Sequence, residues 1–219
     1  MTNLSVLKFR NNERVWADMK NFVAGLVLAI GFTGVAQAEG DATAGQQKTA
    51  VCAGCHAADG NSMVPTFPKL AGQGEKYLVK QMVDIKSGAR PVPEMTGLLD
   101  NLTDQDLQDI AAYFSSQKSS IGQTKADLVE KGQSLYRAGN MATGAAACTA
   151  CHGPSGEGNG PAAFPALSGQ YSVYVAAQLK KFRSGERTND GDSRMMRDIA
   201  AKLSDAEIEA VSSYVSGLH

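Results

Sequence analysis

The chain has 219 residues, with 43% hydrophobic, 6% aromatic and 20% charged side chains, a length that suits one large domain or two small ones. That composition excludes a collagen, a disordered tail and a multi-span membrane protein. Lys plus Arg is 21 and Asp plus Glu is 22, a formal charge of -1, so nothing draws the chain onto nucleic acid. From Met19, a Lys precedes the apolar run 22–32 and the small-residue site Ala36-Gln37-Ala38. This is the layout of a secretory signal peptide, and the run is too short for a comfortable membrane span. Residues 1–18 are polar and mixed in charge, so translation is expected to start at Met19 and cleavage to follow Ala38; the competing reading is a buried or anchoring N-terminal helix. Residues 39–120 carry 7 basic and 10 acidic side chains, and 121–219 carry 10 of each.

Residues 39–219 are one unit written twice, and such repeats decide a fold before any local reading. Cys52-Ala53-Gly54-Cys55-His56 answers to Cys148-Thr149-Ala150-Cys151-His152 at an offset of 96. Phe67-Pro68-Lys69-Leu70-Ala71-Gly72-Gln73 answers to Phe164-Pro165-Ala166-Leu167-Ser168-Gly169-Gln170 at an offset of 97, and Leu102-Thr103-Asp104 to Leu203-Ser204-Asp205 at 101. Four residues are therefore inserted between Arg187 and Met196, near Asn189-Asp190-Gly191-Asp192. The stretch 115–123 is polar and rich in Ser and Gly, the composition of a linker, which divides the chain into 39–120 and 121–219.

Within each half, residues 74–87 and 171–184 carry apolar-type positions at helical spacing (Tyr77, Leu78, Gln81, Met82, Ile85), with Gly88 and Gly185 as stops. A closing helix follows each capping residue: Thr103 ahead of Leu107, Ile110, Ala111 and Phe114, and Ser204, with Glu207 three later, ahead of Ile208, Val211 and Val215. No segment alternates as a strand. The expected class is all-α, with two small domains whose cores are marginal without a staple.

The chemistry sits in the two Cys-x-x-Cys-His motifs. Two thiols three residues apart reach one edge of a porphyrin from a single helical turn, and the adjacent His reaches its iron; this is the c-type haem attachment motif. A zinc site would bring its Cys pairs within about 15 to 20 residues, whereas Cys55 and Cys148 stand 93 apart. A thioredoxin-type redox pair needs a βαβ context, and a disulfide inside Cys-x-x-Cys would close only a tight loop. Two covalent haem c groups are expected, on Cys52, Cys55, Cys148 and Cys151, with His56 and His152 as axial ligands.

The third His is His219, so bis-His coordination at both irons is excluded by inventory and Met becomes the natural donor. Singly, each of Met63, Met82, Met95, Met141, Met195 and Met196 reads as packing as readily as ligation. The repeat separates them: Met95 lies 7 before Leu102 and Met196 lies 7 before Leu203, whereas Met82 aligns with Leu179, and Met63 and Met141 have no equivalents. Met95 and Met196 are the expected sixth ligands. Pro68 and Pro165 fall where a backbone carbonyl would orient each His, although a loop turn with a core Phe accounts for the same residues. The Lys180-Lys181-Phe182-Arg183 cluster reads as a solvated helix face.

These motifs, together with Arg90-Pro91-Val92-Pro93-Glu94-Met95-Thr96, Thr188-Asn189-Asp190-Gly191-Asp192 and the terminal Tyr214-Val215-Ser216-Gly217-Leu218-His219, closely resemble the cytochrome c4 family over essentially all of 39–219. The resemblance implies two tandem class I cytochrome c domains related by a pseudo-two-fold axis, with haems at their interface. It also implies a periplasmic electron carrier, not an enzyme, with peripheral membrane association and no small-molecule substrate. Its expected partners are a quinol-cytochrome c reductase or other donor and a terminal haem-copper oxidase as acceptor. Rival readings are the dihaem subunit of a flavoprotein sulfide dehydrogenase, and a dihaem peroxidase or thiosulfate-oxidising enzyme, which would need an open or displaceable iron ligand. The long N-terminal preface departs from the family pattern.

Overall fold

The computed structural model describes residues 40–219. The expected signal segment, its cleavage site after Ala38 and the start at Met19 lie outside the described residues. In the first half, α1 (Ala42–Lys48) and α2 (Ala50–His56) lead through a long loop to α3 (Glu75–Lys86), a 3-10 turn at Pro93–Met95 and α4 (Asp104–Ser116). The second half repeats the plan after a 3-10 turn at Ala126–Leu128, with α5 (Val129–Ala138), α6 (Thr149–His152), α7 (Ser172–Ser184), α8 (Met195–Ala200) and α9 (Asp205–Gly217). Among the described residues there is no strand, only isolated bridges at Asn140–Ala145 and Asn159–Phe164. The class is all-α, and no described helix is long and apolar enough to cross a membrane.

The closing helices form where capping and apolar spacing agree. Thr103 and Asp106, and Ser204 and Glu207, make reciprocal capping boxes at the starts of α4 and α9, which satisfy backbone donors that a helix start otherwise leaves open. Along α4, Leu107, Ile110, Ala111 and Phe114 are buried, and along α9 Ile208, Val211 and Val215. The opening helix of each half packs across the closing one, α1 on α4 and α5 on α9. A glycine sits at each crossing: a Cβ on Gly45 would stand 2.0 Å from the Asp109 carbonyl oxygen, and one on Gly132 2.5 Å from that of Ala210. The first core gathers Leu78, Ile110, Ala111, Tyr113 and Phe114, with Cys52 and Met82 against it. The second gathers Leu135, Tyr136, Val175, Leu203, Ile208 and Tyr214, with Cys148 and Leu179 against it.

The structure refines three expectations. Ser115 and Ser116 complete α4, so the polar connector begins at Gln117. That connector is tied down rather than loose: the Asn61 side chain donates to the Lys118 carbonyl (3.0 Å) and accepts from the Ser120 N–H (2.8 Å), while Lys69 Nζ donates to the Ser120 carbonyl (2.7 Å). Gln81 is buried, but as a hydrogen-bonding group between the halves rather than as part of an apolar stripe.

The two halves pack as a single compact unit, and their contact follows the pseudo-two-fold. The Gln73 amide donates to the Ala166 carbonyl (3.1 Å) and accepts from the Ala166 N–H (2.8 Å). Gln170 makes the matching pair with Lys69, donating at 2.9 Å and accepting at 3.0 Å. Each half thus satisfies the backbone N–H and C=O of one residue in the other, buried at Lys69 and part-buried at Ala166, which neither could leave unpaired without cost.

Candidate functional site

Both Cys-x-x-Cys-His motifs end a short helix, and in both the histidine turns inward. His56 and His152 are buried, and Nδ1 of each stands 2.9 Å from a proline carbonyl oxygen, that of Pro68 and Pro165 respectively. A carbonyl can only accept, so Nδ1 carries the hydrogen and the lone pair is left on Nε2. Nε2 has no hydrogen-bond partner among the described residues. Burial pulls both imidazoles below the ordinary histidine range, opposed by the proline carbonyls; the neutral, ligand-competent form is therefore favoured. Phe67 and Phe164 flank the rings, each with a centroid separation of 6.4 Å.

The proline carbonyls are held in place by a second repeated element. Gly60, four residues after His56, accepts at its carbonyl from the N–H groups of Leu70 (2.8 Å) and Ala71 (3.2 Å). Gly156 does the same for Leu167 (2.7 Å) and Ser168 (3.0 Å). Both glycines are left-handed, φ 77° and 76°, a conformation that other residues adopt only with strain. The loop bearing Pro68 or Pro165 is thus closed back onto the helix that carries the histidine.

No disulfide joins the four cysteines. Burial raises the Cys52 thiol above its ordinary range and pushes that of Cys148 up to about 11. These are protonated thiols, unlike the low-pKa thiolates of redox-active pairs. Among the described residues no three His, Cys, Asp or Glu side chains are grouped to hold a bare metal ion. The donor set fits covalent haem instead: a neutral imidazole with a free Nε2, next to two unpaired thiols, occurring twice. Met95 ends the 3-10 turn, half-buried, and lines a cleft of about 360 Å³ with Ile85, Arg90, Val92 and Leu99. Met196 is half-buried on α8, while Met195 beside it is exposed. Neither Met95 nor Met196 belongs to a core cluster. Met63 and Met141 are 89% and 96% exposed, and Met82 packs on the first core.

Sequence reasoning missed the polar cluster between the halves. The Arg90 guanidinium donates to Gln81 (2.9 Å), Tyr174 Oη (2.9 Å) and Gln178 (3.3 Å). Its counterpart Arg187 donates to Gln178 (2.8 Å), Gln81 (2.9 Å) and Tyr77 Oη (3.4 Å). All three pairs (Arg90 and Arg187, Gln81 and Gln178, Tyr77 and Tyr174) share the offset of 97, and that repeat in polar residues was the available signal. In the cluster Lys180-Lys181-Phe182-Arg183, Phe182 is buried, while Lys181 and Arg183 pair with Glu186 and Asp205.

The cytochrome c family model matches this chain twice, over residues 42–118 and 129–219. A cytochrome c4 from Pseudomonas aeruginosa is 60% identical over 201 residues, spanning 92% of this chain and 100% of the relative. One from Azotobacter vinelandii is 59% identical over 210 residues, spanning 92% and 100%. The crystal structure of reduced recombinant cytochrome c4 from Pseudomonas stutzeri matches with a TM-score of 0.81 at 58% identity, covering 82% of this chain and 100% of that one. The chain belongs to the cytochrome c family, among its two-domain cytochrome c4 members. It is accordingly a dihaem electron carrier that works with redox partner proteins, not an enzyme.

Proposed function

We propose that Cys52 and Cys55 hold one haem and Cys148 and Cys151 the other through thioether bonds, with His56 and Met95 on the first iron and His152 and Met196 on the second. The observation that carries this reading is the repeated buried imidazole, locked at Nδ1 by Pro68 or Pro165 and free at Nε2. When bound, each haem supplies a one-electron Fe(II)/Fe(III) couple. The proline carbonyls fix ring orientation and tautomer, as outer partners of ligating histidines do. The cores pack against Cys52 and Cys148 on the attachment side, while Cys55 faces solvent. The Met thioethers, soft donors, favour the reduced state and raise the potential. With protein donors on both faces, neither site offers a place for a substrate.

The two working units are 39–120 and 121–219, exported to the periplasm with the leader removed after Ala38. The carrier takes electrons from a quinol-cytochrome c reductase or similar donor and passes them to a terminal haem-copper oxidase, with peripheral attachment to the membrane. The ligand assignment is tested by reduced-minus-oxidised spectra and the weak sulfur-to-iron band at the red end. Met95→Ala and Met196→Ala should each remove about half of that band. A variant that leaves it intact has a different sixth ligand, and the enzyme reading would then come forward.

A further inference from the structure

The halves differ at the loop that leads to each candidate Met ligand. In the first half, none of residues 91–96 hydrogen-bonds to the second half among the described residues; the Met95 and Thr96 N–H groups bond within the turn, to Val92 and Pro93. In the second half the four-residue insertion reaches across. Asn189 Nδ2 donates to Gln81 Oε1 (2.9 Å) and to the Asp84 carboxylate (2.6 Å), both on α3 of the first half. Its carbonyl accepts from Lys80 Nζ of the same helix (2.8 Å), and Lys80 also pairs with Asp84. Its Oδ1 accepts from Arg187 Nε (2.9 Å).

The next residue carries the connection to α8. The Asp190 carboxylate, almost fully buried, accepts from the Arg197 N–H (2.9 Å) and Nε (2.6 Å), and the Gly191 carbonyl accepts from Arg197 Nη2 (2.9 Å). Arg197 directly follows Met196. The turn into α8 holds Arg194 in the left-handed region, φ 51°, which a non-glycine residue keeps only where its surroundings over-determine it. A continuous chain of contacts thus runs from α3 of the first half through Asn189 and Asp190 to the helix that bears Met196.

We propose that Asn189 is a positioning residue through which the first half holds the second half's Met196 in ligating position. This rests on Met196 being the sixth ligand. Met95 has no such brace, so the two centres differ in how firmly their thioethers are held, and the second owes its firmness to its neighbour. Loss of the Asn189 contacts weakens Met196 ligation while leaving Met95 untouched.

The test uses the full-length, haem-loaded protein and two readouts. One is the pair of upfield methionine methyl proton signals in the reduced state, one from each ligated Met. The other is the rate at which cyanide enters the ferric protein, which is limited by thioether release. Asn189→Ala should speed cyanide entry at one haem about tenfold, the scale of losing one or two part-buried hydrogen bonds, and leave the other haem unchanged. Asp84→Asn, which keeps an acceptor for the Asn189 amide, should hold the rate within about twofold. Tyr171→Phe removes a different hydrogen bond between the halves, from Tyr171 Oη to the Ser62 carbonyl, away from the loop and from the Pro68 and Pro165 carbonyls, and should not accelerate either haem. No acceleration in Asn189→Ala, equal acceleration at both haems, or the same effect from Tyr171→Phe would overturn the brace. Met196→Ala separates the two failures: if it leaves both methyl signals, the ligand assignment falls and the proposal with it. If it removes one signal while Asn189→Ala changes nothing, only the brace falls.

Discussion

Single residues set the orientation of each histidine, and the most demanding of them carry no side chain. A Cβ on Gly60 would stand 2.7 Å from the Ala71 nitrogen and 2.8 Å from Phe114 Cδ1, on a backbone already at φ 77°. Gly60→Ala is expected to cost about 2–4 kcal/mol in denaturant unfolding, combining left-handed strain with a core overlap that cannot relax. Gly54 provides the internal comparison: it is helical, nothing lies within 4 Å of its would-be Cβ, and Ala150 stands at the equivalent place in the second half. Gly54→Ala should leave stability unchanged or raise it by up to about 1 kcal/mol. The two attachment motifs were legible because the required residue types and their spacing are rare. Gly60 and Gly156 were not, since a glycine in a loop announces freedom without saying which contact needs it. Only their shared offset of 96, read beside the folded loop, identifies them.

At the level of elements, the long helices could be read and the short ones could not. The segments starting at Thr103 and Ser204 combine a cap, an acidic first turn and a continuous apolar face, and these local signals all agree with the fold. By contrast α1, with seven residues, and α6, with four, are too short to be stable by propensity and exist because they are packed. Charge pairing fastens α1 to α4: Lys48 Nζ lies 2.6 Å from both Asp106 and Asp109, and Asp109 also accepts from the Asp41 N–H at 3.0 Å. The Lys48 ammonium holds both carboxyls below the ordinary range, and they in turn raise the Lys48 pKa. A depressed carboxyl contributes stability above its unfolded value, near pH ~4, and loses it as pH falls through the folded value. The raised Lys keeps its contribution until pH rises past the ordinary lysine range. Lys48→Met should therefore unfold more easily than the parent at pH 7, by a margin that shrinks steadily as pH falls below ~4. Unfolding curves taken across that range check it, and an undiminished margin in acid would assign the loss to packing.

Across the whole molecule the repeat was the strongest signal, because one misread residue in the first half is corrected by its counterpart in the second. What the repeat did not convey is how far the halves depend on each other. Gln73 and Gln170 each pair with both the N–H and the C=O of one residue in the opposite half, and nothing in an isolated glutamine advertises a partner about a hundred residues away. Gln73→Ala should lower stability by about 1 kcal/mol, since the part-buried N–H and C=O of Ala166 lose their partners together but keep some access to water. With Gln170→Ala added, the calorimetric unfolding peak should broaden toward two transitions as the halves uncouple. The connector sharpens the point. Because Asn61 and Lys69 pin the backbone at Lys118 and Ser120, the halves have no tether on which to swing. Electron exchange between the two proposed haems should therefore not be gated by diffusion of a domain through solvent. Thickening the medium with glycerol should slow exchange with outside partners while leaving this internal step at its original rate.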